Sequence, residues 1–185
     1  MAEVVFSGAL EREKREALSA FAQGVLTGAA ERAGIERITI TSTIRTPEAQ
    51  AEAMYNNIAS GRYIRYKKAG QQVTDLCVKM LGKQASKAET IAQMTALIEE
   101  LSEKGERVSK HCVSREEYAK RNIVDISKSL VYDKAIRFIK ELASMDVVAT
   151  VIQPITSRID SEKVSFDDAE PAIHIEIEIP KKYRV

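Results

Sequence analysis

The spacing of apolar residues divides the chain into segments of different period. From Ala9 to Ala33, Leu10, Leu18, Phe21, Val25 and Leu26 recur among Glu, Lys and Arg, which predicts one long amphipathic helix, weakened by Gly24 and Gly28 and ended by Gly34. Arg37-Ile38-Thr39-Ile40-Thr41-Ser42 alternates and is rich in β-branched residues, which predicts a strand. Thr46-Pro47-Glu48 reads as an N-cap followed by proline at the first helical position, and predicts a second helix to about Ser60.

Between Tyr66 and Lys104 helix formers dominate, with a break near Gly82 to Ser86. Val73, Leu76, Cys77 and Met80 fall on one helical face, and Ile91, Met94, Leu97, Ile98 and Leu101 on another, so residues 66–104 are expected to form a helical insert. A short helix is expected from Ser114 to Lys120, a strand from Ile123 to Ser127 and a helix from Asp133 to Ser144. Two strands are expected to follow, Val147 to Gln153 and Ile173 to Ile179, separated by a loop carrying Arg158, Asp160 and Lys163. In the last strand His174 and Glu176 fall on the face opposite Ile173, Ile175, Ile177 and Ile179, because strand side chains alternate.

Strands and helices mix without regular βαβ alternation. The expected class is α+β, a small, mainly antiparallel sheet packed with helices, in a single domain over residues 1–185. Twenty-eight basic residues against 27 acidic ones give a formal charge of +1, so no global field favours nucleic acid or anionic membrane. No run approaches the roughly 20 apolar residues of a membrane span, and the N-terminus lacks a signal-peptide pattern, so cytoplasmic synthesis is expected. Cys77 and Cys112 have neither metal-binding nor redox spacing and read as buried or half-buried thiols.

The chain holds two histidines, His111 in Ser109-Lys110-His111 and His174 in Glu170-Pro171-Ala172-Ile173-His174. Two imidazoles with a carboxylate make three ligands for a tetrahedral Zn²⁺ whose fourth position stays open to water, the pattern of a hydrolase. Thr41-Ser42-Thr43-Ile44-Arg45-Thr46-Pro47-Glu48-Ala49-Gln50 matches a TSxxRxxxxQ element, and Ser109-Lys110-His111, Val124-Asp125-Ile126 and His174 follow in order. In these motifs the chain resembles the zinc D,D-peptidase family, which includes D-alanyl-D-alanine carboxypeptidases, dipeptidases and phage L-alanyl-D-glutamate endolysins. The resemblance spans about residues 36 to 179.

It implies that His111, Asp125 and His174 hold Zn²⁺, that Glu170 is the general base and that Arg45 acts near the site, on a peptidoglycan stem peptide as substrate. Zinc lowers the pKa of bound water to roughly 7, a carboxylate beside it can carry the proton to the leaving amine, and an arginine can pair with a substrate carboxylate or a developing oxyanion. The chain departs from the family pattern in two places. Cys112 to Val124 lengthen the loop between His111 and Asp125, so that Glu116 or Glu117 could stand in for Asp125. Glu170 precedes His174 by four residues rather than the usual three, which leaves Glu176, and less well Asp168, as alternative bases or ligand-orienting groups. Ser109 either orients His111 or simply ends a strand. Two other classes remain open, a noncatalytic module of this fold that binds peptidoglycan or a protein, and a zinc hydrolase of another substrate.

Overall fold

A computed structural model describes every residue except 1, 9, 11, 63, 65, 156–158, 169 and 185. Ala9 and Arg158 therefore lie outside the described residues. In chain order the elements are β1 (Glu3–Phe6), α1 (Arg12–Glu16), α2 (Ala20–Arg32), β2 (Arg37–Ser42), α3 (Pro47–Ala59), α4 (Lys68–Gly82) and α5 (Lys87–Glu103). There follow α6 (Arg115–Lys120), β3 (Arg121–Ile126), α7 (Tyr132–Ala143), β4 (Val148–Gln153), β5 (Val164–Phe166), β6 (Ile173–Glu178) and a 3₁₀ turn over Lys181–Tyr183. The class is α+β, and the chain forms two compact units, one of Met1–Ile44 with Arg115–Val185 and one of Arg45–Ser114.

The first unit is built on a six-stranded sheet in the order β1-β2-β3-β6-β4-β5. It is mixed rather than mainly antiparallel: β1 pairs with β2, and β4 with β5, in parallel, while β2–β3, β3–β6 and β6–β4 are antiparallel. The two parallel pairs come from edge strands of four and three residues, too short to show a period of their own. Parallel neighbours also need crossover connections, which leave no hairpin signal in the sequence. Ile38, Ile40, Val124, Ile126, Val148, Val151, Ile173, Ile175 and Ile177 join Leu26, Phe138, Ile139 and Leu142 of α2 and α7 in one buried core. Burying each such side chain contributes roughly 1.5–3 kcal/mol.

The single long helix expected from Ala9 is instead α1 and α2, interrupted at Ala17–Ser19. Ser19 caps α2, its Oγ accepting from the Ala22 N–H at 3.1 Å, and also donates to Asn122 Oδ1 at 2.7 Å. A side chain that satisfies a helix start and a long-range partner favours a cap over a continued helix. Gly34 follows the end of α2 with φ of 71°, as its sequence position predicts.

The second unit holds α3, α4 and α5 around Met54, Val73, Cys77, Met94, Ile98 and Leu101. Thr46 and Ser86 cap α3 and α5 by accepting from the N–H three residues on, at 3.2 Å each. This unit begins at Arg45, so α3 belongs with the helices expected from residue 66 onward. Among the described residues, no helix is long and apolar enough to cross a membrane.

Candidate metal centre

β3 and β6 pair residue for residue, so Arg121 faces Glu178, Ile123 faces Glu176, and Asp125 faces His174. Directly opposed residues share a face. One surface of the two strands therefore carries Arg121, Ile123 and Asp125 beside Glu178, Glu176 and His174, and the isoleucines of β6 occupy the other. A register shift between β2 and β3 after Ile40 brings Ser42 opposite Asp125, and Thr41 Oγ1 donates to the Asp125 carbonyl at 3.3 Å. Such a bulge re-aims a strand at its end.

His174 is almost completely enclosed, its side chain 3% exposed, against 15% for Asp125 and 12% for Glu176. Its Nδ1 lies 3.0 Å from Asp125 Oδ1 and its Nε2 3.4 Å from Glu176 Oε1. Arg121 donates through one nitrogen to Glu176 Oε2 at 3.2 Å and through another to Glu178 Oε1 at 2.6 Å. Burial works against the Arg121 charge, but the two glutamates outweigh it and raise the guanidinium pKa.

In the second unit His111 is buried in a turn that closes with the Cys112 N–H donating to the Ser109 carbonyl at 3.2 Å. Ser109 Oγ accepts from the His111 backbone N–H at 3.3 Å, so the serine shapes the turn. The His111 carbonyl accepts from the Arg45 backbone N–H at 2.9 Å, and the Arg45 guanidinium donates to buried Gln50 Oε1 at 3.3 Å. Burial pushes the Cys112 thiol up to about 11, against an opposing pull from Arg45, and raises the Cys77 thiol too. Both cysteines are therefore protonated thiols near neutral pH.

His111 of the second unit and Asp125 and His174 of the first each offer one ligand atom. The donor set, two imidazole nitrogens and a carboxylate oxygen, suits zinc. This group could hold a metal ion. Among the described residues it is the group of this kind, and Glu116, Glu117, Asp168, Glu170 and Glu176 are outside it.

Glu170 is half-buried before β6, its N–H donating to the Asp167 carbonyl at 3.2 Å. Glu116 forms an exposed pair with Lys120 on α6, as a solvated helix face does. Arg121 is the residue that sequence reading missed. The glutamates at alternate positions of β6 called for a cation opposite them, but which strand supplies it depends on the pairing register. Comparison of the chain with models of protein families, with curated proteins and with solved structures finds no match.

Proposed function

We propose that this protein is a zinc-dependent peptidase that hydrolyses a D-amino-acid-containing bond in a peptidoglycan stem peptide. The grouping of His111, Asp125 and His174 carries the reading. The order of the Thr41–Gln50, Ser109–His111, Asp125 and His174 motifs supports the substrate class. In this reading those three residues hold Zn²⁺, which when bound supplies the Lewis acidity that makes water a usable nucleophile near neutral pH.

The chain's own groups do the rest. Glu170 takes the proton from the attacking water and passes it to the departing amine nitrogen as the C–N bond breaks. Arg45 pairs with a carboxylate of the stem peptide and orients it, since a guanidinium binds a carboxylate through two parallel donors. His174 and Asp125 are mostly shielded from solvent, so interactions between their side chains act in a low dielectric.

The test measures zinc content by elemental analysis in wild type, Asp125→Ala and His174→Ala, then muropeptide cleavage by mass spectrometry. About one zinc per chain, lost in both variants, with cleavage by wild type only, is the expected result. Zinc binding without turnover of any muropeptide would overturn the peptidase reading in favour of a noncatalytic module. No zinc in wild type would overturn the metal site as well.

A further inference from the structure

We infer that Glu176, anchored by Arg121, is a positioning residue that fixes the tautomer of His174, so that His174 offers Nδ1 to the ion and keeps its proton on Nε2. This rests on the metal reading of the preceding subsection but concerns four residues of one unit, Arg121, Asp125, His174 and Glu176.

The two ring nitrogens of His174 have different neighbours. Nδ1 faces Asp125 Oδ1 at 3.0 Å, so Nδ1 is the nitrogen that can share an ion with that carboxylate. Nε2 points the other way along the strand pair, towards Glu176 Oε1 at 3.4 Å. Both neighbours are carboxylates, which only accept; with Nδ1 given to the ion, the one ring proton stays on Nε2 and Glu176 is its acceptor. Metal-bound imidazoles commonly donate their remaining N–H to a carboxylate, which sets the ring orientation and makes the ligating nitrogen more basic.

Glu176 is itself held. Its Oε2 accepts from Arg121 at 3.2 Å, and Arg121 is kept in place by Glu178 at 2.6 Å. The register explains the strip: residues 121, 123 and 125 of β3 and 174, 176 and 178 of β6 alternate onto one face, and Arg121 reaches Glu176 diagonally. Charge runs inward from a guanidinium 44% exposed to an imidazole 3% exposed. Buried Ile123 and Ile152 are the cross-strand partners of Glu176 and His174, so the hydrogen bonds at the inner end act in a low dielectric.

The experiment uses the full chain with Zn²⁺ alone as the probe, competed against a chromophoric chelator, and nitrogen-15 NMR of histidine-labelled protein loaded with zinc. With two histidines in the chain, the ring signals are few enough to assign through His111→Ala. Glu176→Ala is expected to weaken zinc binding by about 10–100-fold, and Glu176→Gln, whose carbonyl still accepts, to restore most of it. Arg121→Ala leaves the acceptor in place and should cost less than about tenfold. The zinc-loaded wild type should show His174 protonated at Nε2.

Wild-type zinc affinity in Glu176→Ala, or a zinc-loaded His174 protonated at Nδ1, would overturn this inference and leave the metal site standing. Failure of the wild type itself to bind zinc would overturn both. A Glu176→Ala chain that does not fold leaves the Glu176→Gln and Arg121→Ala affinities and the wild-type tautomer to decide.

Discussion

Asp125 and His174 are direct cross-strand partners on adjacent antiparallel strands, and their Oδ1 and Nδ1 atoms stand 3.0 Å apart inside the first unit. Their sequence separation is 49, yet the ladder sets them side by side. A ligand pair built on strands loses little freedom when it binds an ion, which favours tight binding.

Zinc should therefore stabilise the fold. At a free concentration of 100 times Kd the gain is about 2.7 kcal/mol, read as a rise in Tm that a chelator reverses. Protons compete for the lone pairs that bind the ion, so the rise should be smaller at pH 5 than at pH 7.5. Calorimetry of Asp125→Ala, which lacks one of the proposed ligands, should show little or no zinc-dependent rise.

Asn122 ties the start of α2 to β3. Its Oδ1 accepts from both the N–H and the hydroxyl of Ser19, at 2.9 and 2.7 Å, and its Nδ2 donates to the Tyr118 carbonyl at 2.7 Å. Asn122 is fully buried, so Asn122→Ala should leave polar partners stranded and cost about 2–3 kcal/mol in urea unfolding. Ser19→Ala should cost about 1 kcal/mol, since it removes a cap but leaves Asn122 the backbone N–H.

Burial raises the Tyr118 phenol above its ordinary value of 10.0, with hydrogen bonding to Thr43 and to the Ile123 and Ile44 backbone working the other way. A raised pKa in the folded state means that the unfolded chain releases this proton first as pH rises. The contribution is fully present below pH 10 and is lost as pH climbs above it. Tyr118→Phe should flatten the alkaline fall in stability. At pH 7 it should cost about 1 kcal/mol, for the hydroxyl that donates to the Ile123 carbonyl at 3.1 Å.

Two helical glycines should respond oppositely to alanine. A Cβ at Gly70 of α4 would lie 2.7 Å from Tyr66 Cβ, too close to the backbone for a rotamer change to relieve it. Gly70→Ala should destabilise by about 1–3 kcal/mol, as overpacking does. Exposed Gly24 of α2 has nothing within 4 Å of such a Cβ, and Gly24→Ala should add about 0.5–1 kcal/mol of helix propensity. Thermal melts of the two variants measure both.

Local physics made much of this protein legible from its sequence. The period of apolar residues located β2, α3, α4, α5, α7, β4 and β6 to within a residue or two, because each buries one regular face and three of the helices end on a cap or a glycine that needs no distant partner. The alternation in Ile173-His174-Ile175-Glu176-Ile177 separated the core face from the polar one. The sequence likewise singled out His111, Asp125 and His174 as a candidate ligand set. Tertiary structure decided what depends on pairing. Whether residues 12–32 run as one helix turned on Asn122, about a hundred residues away, which holds Ser19 as a cap. The parallel pairing of β1 and β5 came from crossovers that leave no trace in a short window. Register alone set Asp125 opposite His174 and aimed Arg121 at Glu176, because a shift of one residue would turn each of those side chains to the opposite face.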